Sequence, residues 1–413
     1  MKKIVFGAMA LAALCLNSCT GGVKQPESVT TVSSASQYPE NSPVAKHGRL
    51  QVKDLQLCDK DGNPVQLAGM STMGWQWCGE CYSRESIEKL VKDWNINIFR
   101  MAMYVEEGGY NTTPEEFRNR MCEMIDICGD LGIYCIVDWH VMTPGNPLDP
   151  KYAGAEDFFR FIANKYADKE HIIYEICNEP NNCLEKGDVE KPWVCTRDTN
   201  VTWDMIAEYA DNIIPVIHNE YDAAGAAHPI IVVGTPQWNQ LVDACLKVGM
   251  CQGNGKDLCD ELPARDARLK FDNVMYTFHF YSGEHNEGFE KDGKPDYYNM
   301  YSYMYDVLGK LPVFCTEFGV TNADGDGPLF YDRTDKWLLM LSGNNAGKQI
   351  VSFCNWSFSD NKRTSSALKE GSCKEKQWDN LTESGEYIKK VLAVVNTEAE
   401  DTTVLKPSNL YVK

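Results

Sequence analysis

Residues 172–180 read Ile172-Ile173-Tyr174-Glu175-Ile176-Cys177-Asn178-Glu179-Pro180. A short, β-branched, mostly apolar run of this kind suits a parallel strand buried on both faces, and its polar end marks where the chain leaves the core. Working outward, seven further runs share this character: Val65–Ser71, Ile98–Met103, Tyr134–His140, Pro229–Thr235, Val274–Tyr281, Pro312–Gly319 and Val351–Phe358. Between them lie helix-length stretches with apolar residues three and four apart. Examples are Phe117, Met121, Met124, Ile125 and Cys128, and, after Thr202, Trp203, Ile206, Tyr209, Ala210 and Ile213. Eight strands alternating with helices predict an α/β fold, a (β/α)8 TIM barrel. A doubly wound open sheet would want a Gly-x-Gly-x-x-Gly turn after its first strand, and none follows Ser71.

Ahead of the barrel, Leu50–Leu57 and Pro64–Leu67 flank Asp59-Lys60-Asp61-Gly62-Asn63, which predicts a small N-terminal β-hairpin turning at Asp-Gly and plugging the barrel floor. Two connections are long: 181–201, with Cys183, Trp193 and Cys195, and 245–272, with Cys251 and Cys259. Long loops without structure of their own are usually functional or disordered. The chain opens with Met1-Lys2-Lys3 and an apolar run from Ile4 to Leu16, too short to span a bilayer and suited to a secretory signal. Leu16-Asn17-Ser18-Cys19 resembles a bacterial lipobox, which implies a signal peptide over 1–18 and lipidation of Cys19. A Ser/Thr/Pro-rich tether is expected over 19–45, the barrel over 46–396 and a tail over 397–413.

Apolar residues make up 43% and charged residues 24%, which excludes a disordered chain, a coiled coil and a collagen-like protein. Lys and Arg total 40 against 59 Asp and Glu, a net charge of −19 that disfavours nucleic acid as a partner. Of 17 Cys, those at 135, 177, 315 and 354 fall in apolar strands and are expected to be free, buried thiols. Cys78 and Cys81, Cys183 with Cys195, and Cys251 with Cys259 lie in loop-like stretches that an exported protein could bridge. Cys78-Gly79-Glu80-Cys81 lacks a second pair to complete a zinc site.

In this fold, reactive groups gather at the C-terminal ends of strands. Those ends carry Arg100, Asp138-Trp139-His140, Asn178-Glu179-Pro180, His279-Phe280-Tyr281, Thr316-Glu317 and Asn355-Trp356-Ser357. Glu179 and Glu317 sit on strands four and seven, facing each other across the ring. Two carboxyls so placed can flank a glycosidic bond, one protonated and one ionised. Arg100 and Tyr281 are suited to holding Glu317 ionised, Asn178 to bonding a sugar hydroxyl, and Trp356 to stacking on a pyranose. Asp138 reads as a structural residue, and His285, just beyond strand six, as a surface histidine or a subsite contact.

These residues resemble glycoside hydrolase family 5, and within it the bacterial endo-1,4-β-glucanases, over about residues 47–372. The matching stretches are GMSTMGWQW, FRMAMYVEEGGY, LGIYCIVDWHVMTPGNP, IIYEICNEPN, VTW, IIVVGTPQWNQ, NVMYTFHFYSGEH, FCTEFGV, NWSFSD and TSSALKEG. The resemblance implies a retaining hydrolase with Glu179 as acid/base and Glu317 as nucleophile, and with no metal or cofactor. It implies that Arg100, His140, Asn178, His279, Tyr281 and Trp356 line the subsite at the bond, and that Trp77 stacks a sugar on the non-reducing side. Two departures stand out: Met73 replaces the His of the usual Ser-Thr-His-Gly, and Asn361 stands where a Lys is common. Both fall where the second sugar is gripped. The expected partner is a β-glucan polysaccharide or oligosaccharide, with mixed-linkage glucan, xyloglucan, mannan or a non-catalytic glycan-binding role as rivals. The expected chain is monomeric and exported to an outer membrane, touching it through the lipid alone.

Overall fold

A computed structural model describes residues 37–142, 145–181, 201–246, 266–285, 290–291, 294–295 and 300–398. Eight parallel strands close into a barrel: β3 (Ala68–Thr72), β4 (Ile98–Tyr104), β5 (Tyr134–His140), β6 (Ile172–Glu175), β7 (Ile230–Val233), β8 (Val274–Tyr281), β11 (Val313–Gly319) and β12 (Phe353–Phe358). They pair in chain order, and β12 returns to β3. Outside the barrel, β1 (Gln51–Lys53) pairs with β2 (Gln56–Cys58), and β9 (Glu290–Lys291) with β10 (Lys294–Pro295). Among the described residues no helix is long and apolar enough to cross a membrane.

The helices form for local reasons and stay for tertiary ones. Helix α4, Pro114–Leu131, starts on a proline with Glu115 and Glu116 in its first turn and stops at Gly132, whose φ of 69° is left-handed. The expected stripe of Phe117, Met121, Met124, Ile125 and Cys128 is its buried face. In α6, Trp203–Ala223, Thr202 caps the N–H of Met205, and Trp203, Ile206, Tyr209, Ala210 and Ile213 are buried. Each large apolar side chain so buried contributes roughly 1.5–3 kcal/mol.

The floor is sealed as expected, by different turns. The β1–β2 hairpin turns at Asp54 and Leu55, both at positive φ, and Asp59–Asn63 forms a second reversal ending in a bridge between Cys58 and Pro64. Asp59 Oδ1 holds that reversal by accepting from the N–H groups of Asp61 and Asn63. Leu50, Leu57, Val65 and Leu67 then pack under Ile98, Tyr134, Ile136, Ile173 and Phe314, which point into the barrel. The tether expected over 19–45 is shorter at its C-terminal end. Tyr38 and Val44 are buried, Tyr38 Oη bonds His171 Nδ1 at 3.0 Å, and α1 spans Pro43–His47.

Cys81 is disulfide-bonded to Cys373, 292 residues away, not to Cys78. Cys78 is a free, buried thiol, as are Cys135, Cys177, Cys315 and Cys354. The bridge ties the segment after β3 to the segment after β12, a closure that spacing along the chain does not reveal. Cys183, Trp193, Cys195, Cys251 and Cys259, and the signal and Cys19, lie outside the described residues.

Candidate active site

Strand alternation sends every second side chain into the lumen. Above the apolar floor comes a polar layer, and Arg100 is its centre. It lies third in β4, inside the barrel rather than at a strand end, and is fully buried. Its Nε and Nη2 donate to Glu175 at 2.7 and 3.2 Å. Nη1 donates to Glu317 Oε2 at 2.9 Å, and Nη2 approaches Asp138 Oδ2 at 3.0 Å and Asn178 Oδ1 at 2.7 Å. One buried guanidinium therefore faces three carboxyl groups. The desolvation of this cluster is offset by these hydrogen bonds, although Asp138 Oδ1 has no partner among the described residues.

Glu317 owes its position to a bulge. Opposite β8, Phe314 pairs with Thr277 but Glu317 pairs with His279, so β11 carries one extra residue. Two consecutive side chains thus reach the lumen: Thr316 Oγ1 donates to Glu175 Oε1 at 2.7 Å, and Glu317 meets Arg100. Tyr281 Oη donates to Glu317 Oε1 at 2.6 Å. Burial, and then the charge of Glu317, hold Tyr281 well above the ordinary tyrosine range, so it stays a donor.

Glu179 lies beyond the end of β6, which stops at Glu175 and not at Glu179 as its apolar run suggests. The chain bends there, and Glu179 takes a φ of 35°, costing of order 1–3 kcal/mol for a residue with a Cβ. His279 Nδ1 lies 2.8 Å from Glu179 Oε1. Burial pushes the Glu179 carboxyl up to about 8, with Arg100 opposing and Glu175 adding. His279 is pushed down to about 4, chiefly by burial.

An oxygen of Glu179, a ring nitrogen of His279 and an oxygen of Glu317 lie within 4.8 Å of one another. That approach fits the short carboxyl separation of retaining glycosidases. A divalent cation is disfavoured among these donors, because Arg100 already occupies Glu317. His218, His228 and Asp272 also cluster, but the two imidazoles stack at 3.7 Å and 15°, so one ion cannot lie in both ring planes.

The other expected residues surround this pair. His140 is pushed down to about 3 by burial and Arg100, and its Nδ1 meets Asp138 Oδ2 at 2.7 Å. Asp138 is thus a structural partner. Asn178 Nδ2 donates to the Val141 carbonyl at 3.0 Å, and with Oδ1 on Arg100 it has little left for a sugar. His140 stacks on Trp356 at 5.6 Å and 11°. Met73 and Met142 pack against Tyr104, Tyr281 and Trp356, so the Met73 departure does lie at the site. Trp77 is 50% exposed, with its edge contact to Tyr104 at 5.0 Å. Asn361 instead accepts from Arg363 N–H and the Ser366 hydroxyl, while Lys362 pairs outward with Glu370. His285 is buried, not at the surface, and accepts from the Tyr281 N–H at 2.9 Å.

Glu175, Thr316 and Asn239 carry no assigned role in the sequence, though each lies in a stretch quoted from it. Glu175 had a signal, a carboxylate in the middle of an apolar strand. Thr316 stands at a polar strand end, but regular alternation sends it to the opposite face from Glu317.

The family model for cellulase, glycosyl hydrolase family 5, matches residues 58–362. Endoglucanase E-5 of Thermobifida fusca is 34% identical over 357 residues, covering 85% of this chain and 65% of that protein. The chain spans less than two thirds of this relative and of the next curated ones, at 43% and 59% of their lengths. Among solved structures, Cellulase Cel5C_n matches with a TM-score of 0.70 at 37% identity, covering 86% of this chain and 95% of that one. The catalytic domain of Thermobifida fusca endoglucanase Cel5A, in complex with cellotetraose, matches with a TM-score of 0.68 at 32% identity, covering 85% and 99%.

Proposed function

Because the chain belongs to the cellulase family, glycosyl hydrolase family 5, we propose that it is a retaining endo-β-1,4-glucanase acting on cellulose or related β-glucans. The observation that carries this reading is the close approach of Glu179 and Glu317 in unlike surroundings, one held protonated by burial and the other paired with Arg100 and Tyr281. Glu317 attacks the anomeric carbon while Glu179 protonates the departing oxygen, leaving a glycosyl ester on Glu317. Glu179, now a carboxylate, takes a proton from water, which attacks the same carbon and frees Glu317. Arg100 and Tyr281 take up the charge returning to Glu317. Trp356 and Trp77 offer faces to successive sugars, and Met73 gives the second sugar an apolar neighbour.

The test is reducing-end release by residues 37–413 from carboxymethylcellulose, barley β-glucan, xyloglucan and galactomannan, with Glu317→Gln as the blank. Release from the first two, lost in the blank, is the expected result. Release from galactomannan or xyloglucan alone overturns the substrate, and binding without release overturns the enzyme. Glu179→Gln is expected to slow unactivated glycans about 10²–10⁴-fold.

The same proposal extends to the N-terminus: residues 1–18 are a lipoprotein signal and Cys19 carries the lipid, supported by Leu16-Asn17-Ser18-Cys19. The barrel then hangs from an outer membrane by the residues before Gln37. Cys19→Ala is expected to move the protein from the membrane to the soluble fraction, and unchanged partitioning counts against the anchor.

A further inference from the structure

After β7 the chain makes a turn that side chains seldom tolerate. Gln237, Trp238 and Asn239 all have positive φ, at 58°, 55° and 59°. Three consecutive left-handed residues without a glycine persist only where the surroundings hold them. Here Trp238 N–H donates to the Pro180 carbonyl, next to Glu179, and Asn239 N–H to the Thr235 carbonyl. The turn delivers the Asn239 side chain, fully buried, to the back of His279.

The orientation of that amide is fixed. Asn239 Oδ1 accepts the Thr235 N–H at 2.7 Å, so Nδ2, a donor, is the atom facing His279 Nε2 at 3.2 Å. Thr316 Oγ1 also faces Nε2, at 2.9 Å, but its one proton goes to Glu175 Oε1. His279 is neutral and carries one N–H. Placed on Nε2, that proton would meet Thr316 Oγ1 but confront the Asn239 N–H, leaving that buried donor unmet. Placed on Nδ1, it meets Glu179 Oε1, and Nε2 accepts from Asn239.

We propose that Asn239 is a positioning residue that biases His279 toward the Nδ1–H tautomer, in which Glu179 Oε1 accepts and the acid proton resides on Oε2. Oε2 has no hydrogen-bond partner among the described residues, which leaves its proton for the departing oxygen. The inference rests on Glu179 being the proton donor of the proposed reaction. The charged and titratable groups facing this pair are Arg100 and Tyr104 from β4, Asp138 and His140 from β5, Glu175 from β6, Tyr281 from β8, His285 just after it and Glu317 from β11.

Asn239→Asp isolates the donor: it keeps an oxygen for the Thr235 N–H and replaces N–H by an acceptor. His279 then carries a proton on Nε2, and Glu179 either loses its proton to the ring or turns it inward on Oε1. The expected result is a fall of about 10–100-fold in kcat/KM for cellotetraose, whose leaving group needs the acid. For 2,4-dinitrophenyl β-cellobioside, whose leaving group does not, kcat/KM stays within about threefold. The basic limb of the pH profile rises by about one pH unit, as the pair holds its proton longer. Equal falls on both substrates, or no fall on either, overturn the proposal.

Nitrogen-15 NMR of the wild-type imidazoles, with His279 identified by its loss in His279→Asn, provides a readout independent of hydrolysis. A protonated Nδ1 with an unprotonated Nε2 is expected, and the opposite tautomer overturns the proposal. If the wild-type chain hydrolyses none of the glycans, the functional reading fails, while the tautomer is still decided by this spectrum.

Discussion

Glu175→Gln tests the polar layer on which the site stands. Glu175 is fully buried and accepts three hydrogen bonds: Arg100 Nε at 2.7 Å, Arg100 Nη2 at 3.2 Å and Thr316 Oγ1 at 2.7 Å. The variant has the same shape but one acceptor oxygen, so its NH2 must face at least one of these donors. Thr316 can turn and accept, but the two parallel bonds from the guanidinium cannot both survive. A charge-assisted bond is worth about 1.5–3 kcal/mol, and a donor left unmet in the core adds to the loss. The expected destabilisation is about 2–4 kcal/mol, read from urea unfolding at neutral pH. A second consequence follows from charge. Glu175 helps to hold the Glu179 proton, so its neutralisation lowers the basic limb of kcat/KM toward neutral pH. Arg100, with one carboxylate fewer, grips Glu317 more tightly, which in the proposed mechanism blunts it as a nucleophile. An unchanged unfolding midpoint together with an unchanged basic limb would refute the account of Arg100 as a centre shared among three carboxyl groups.

Three further outcomes are expected. Glu179 keeps its proton in the folded chain up to about pH 8, whereas the unfolded chain loses it near 4.5. Its contribution to stability is therefore full below 4.5 and lost as pH rises through 8; kcat/KM on unactivated glycans falls at the same upper limit, and a profile flat to pH 10 would remove Glu179 as the acid. Reduction of Cys81–Cys373, or Cys373→Ala, opens a closure spanning 292 residues and is expected to cost about 2–5 kcal/mol in chemical unfolding; an unmoved midpoint would place the two ends of the barrel under other restraints. Trp77→Ala removes a half-exposed face and is expected to raise KM for longer oligosaccharides about tenfold, ~1.4 kcal/mol, with kcat retained; an equal fall in kcat would put Trp77 in the chemistry instead.

The sequence by itself determined the barrel and pointed to Glu179 and Glu317. Buried parallel strands must be apolar on both faces, so their number and order show as eight short runs, and polar residues at their ends stand out against them. The stripe of α4 was readable for a similar reason: its period is a local property of the chain. What only the tertiary structure decided is how these groups are held. The end of β6 at Glu175 depends on a bend at Glu179, and the facing of Thr316 and Glu317 to one side depends on a bulge set by pairing with β8. The pairing of Cys81 with Cys373, and the placing of Arg100 among Asp138, Glu175 and Glu317, join residues from elements far apart in the chain. Contacts of that kind come from closing the sheet on itself, and no window of sequence contains both partners.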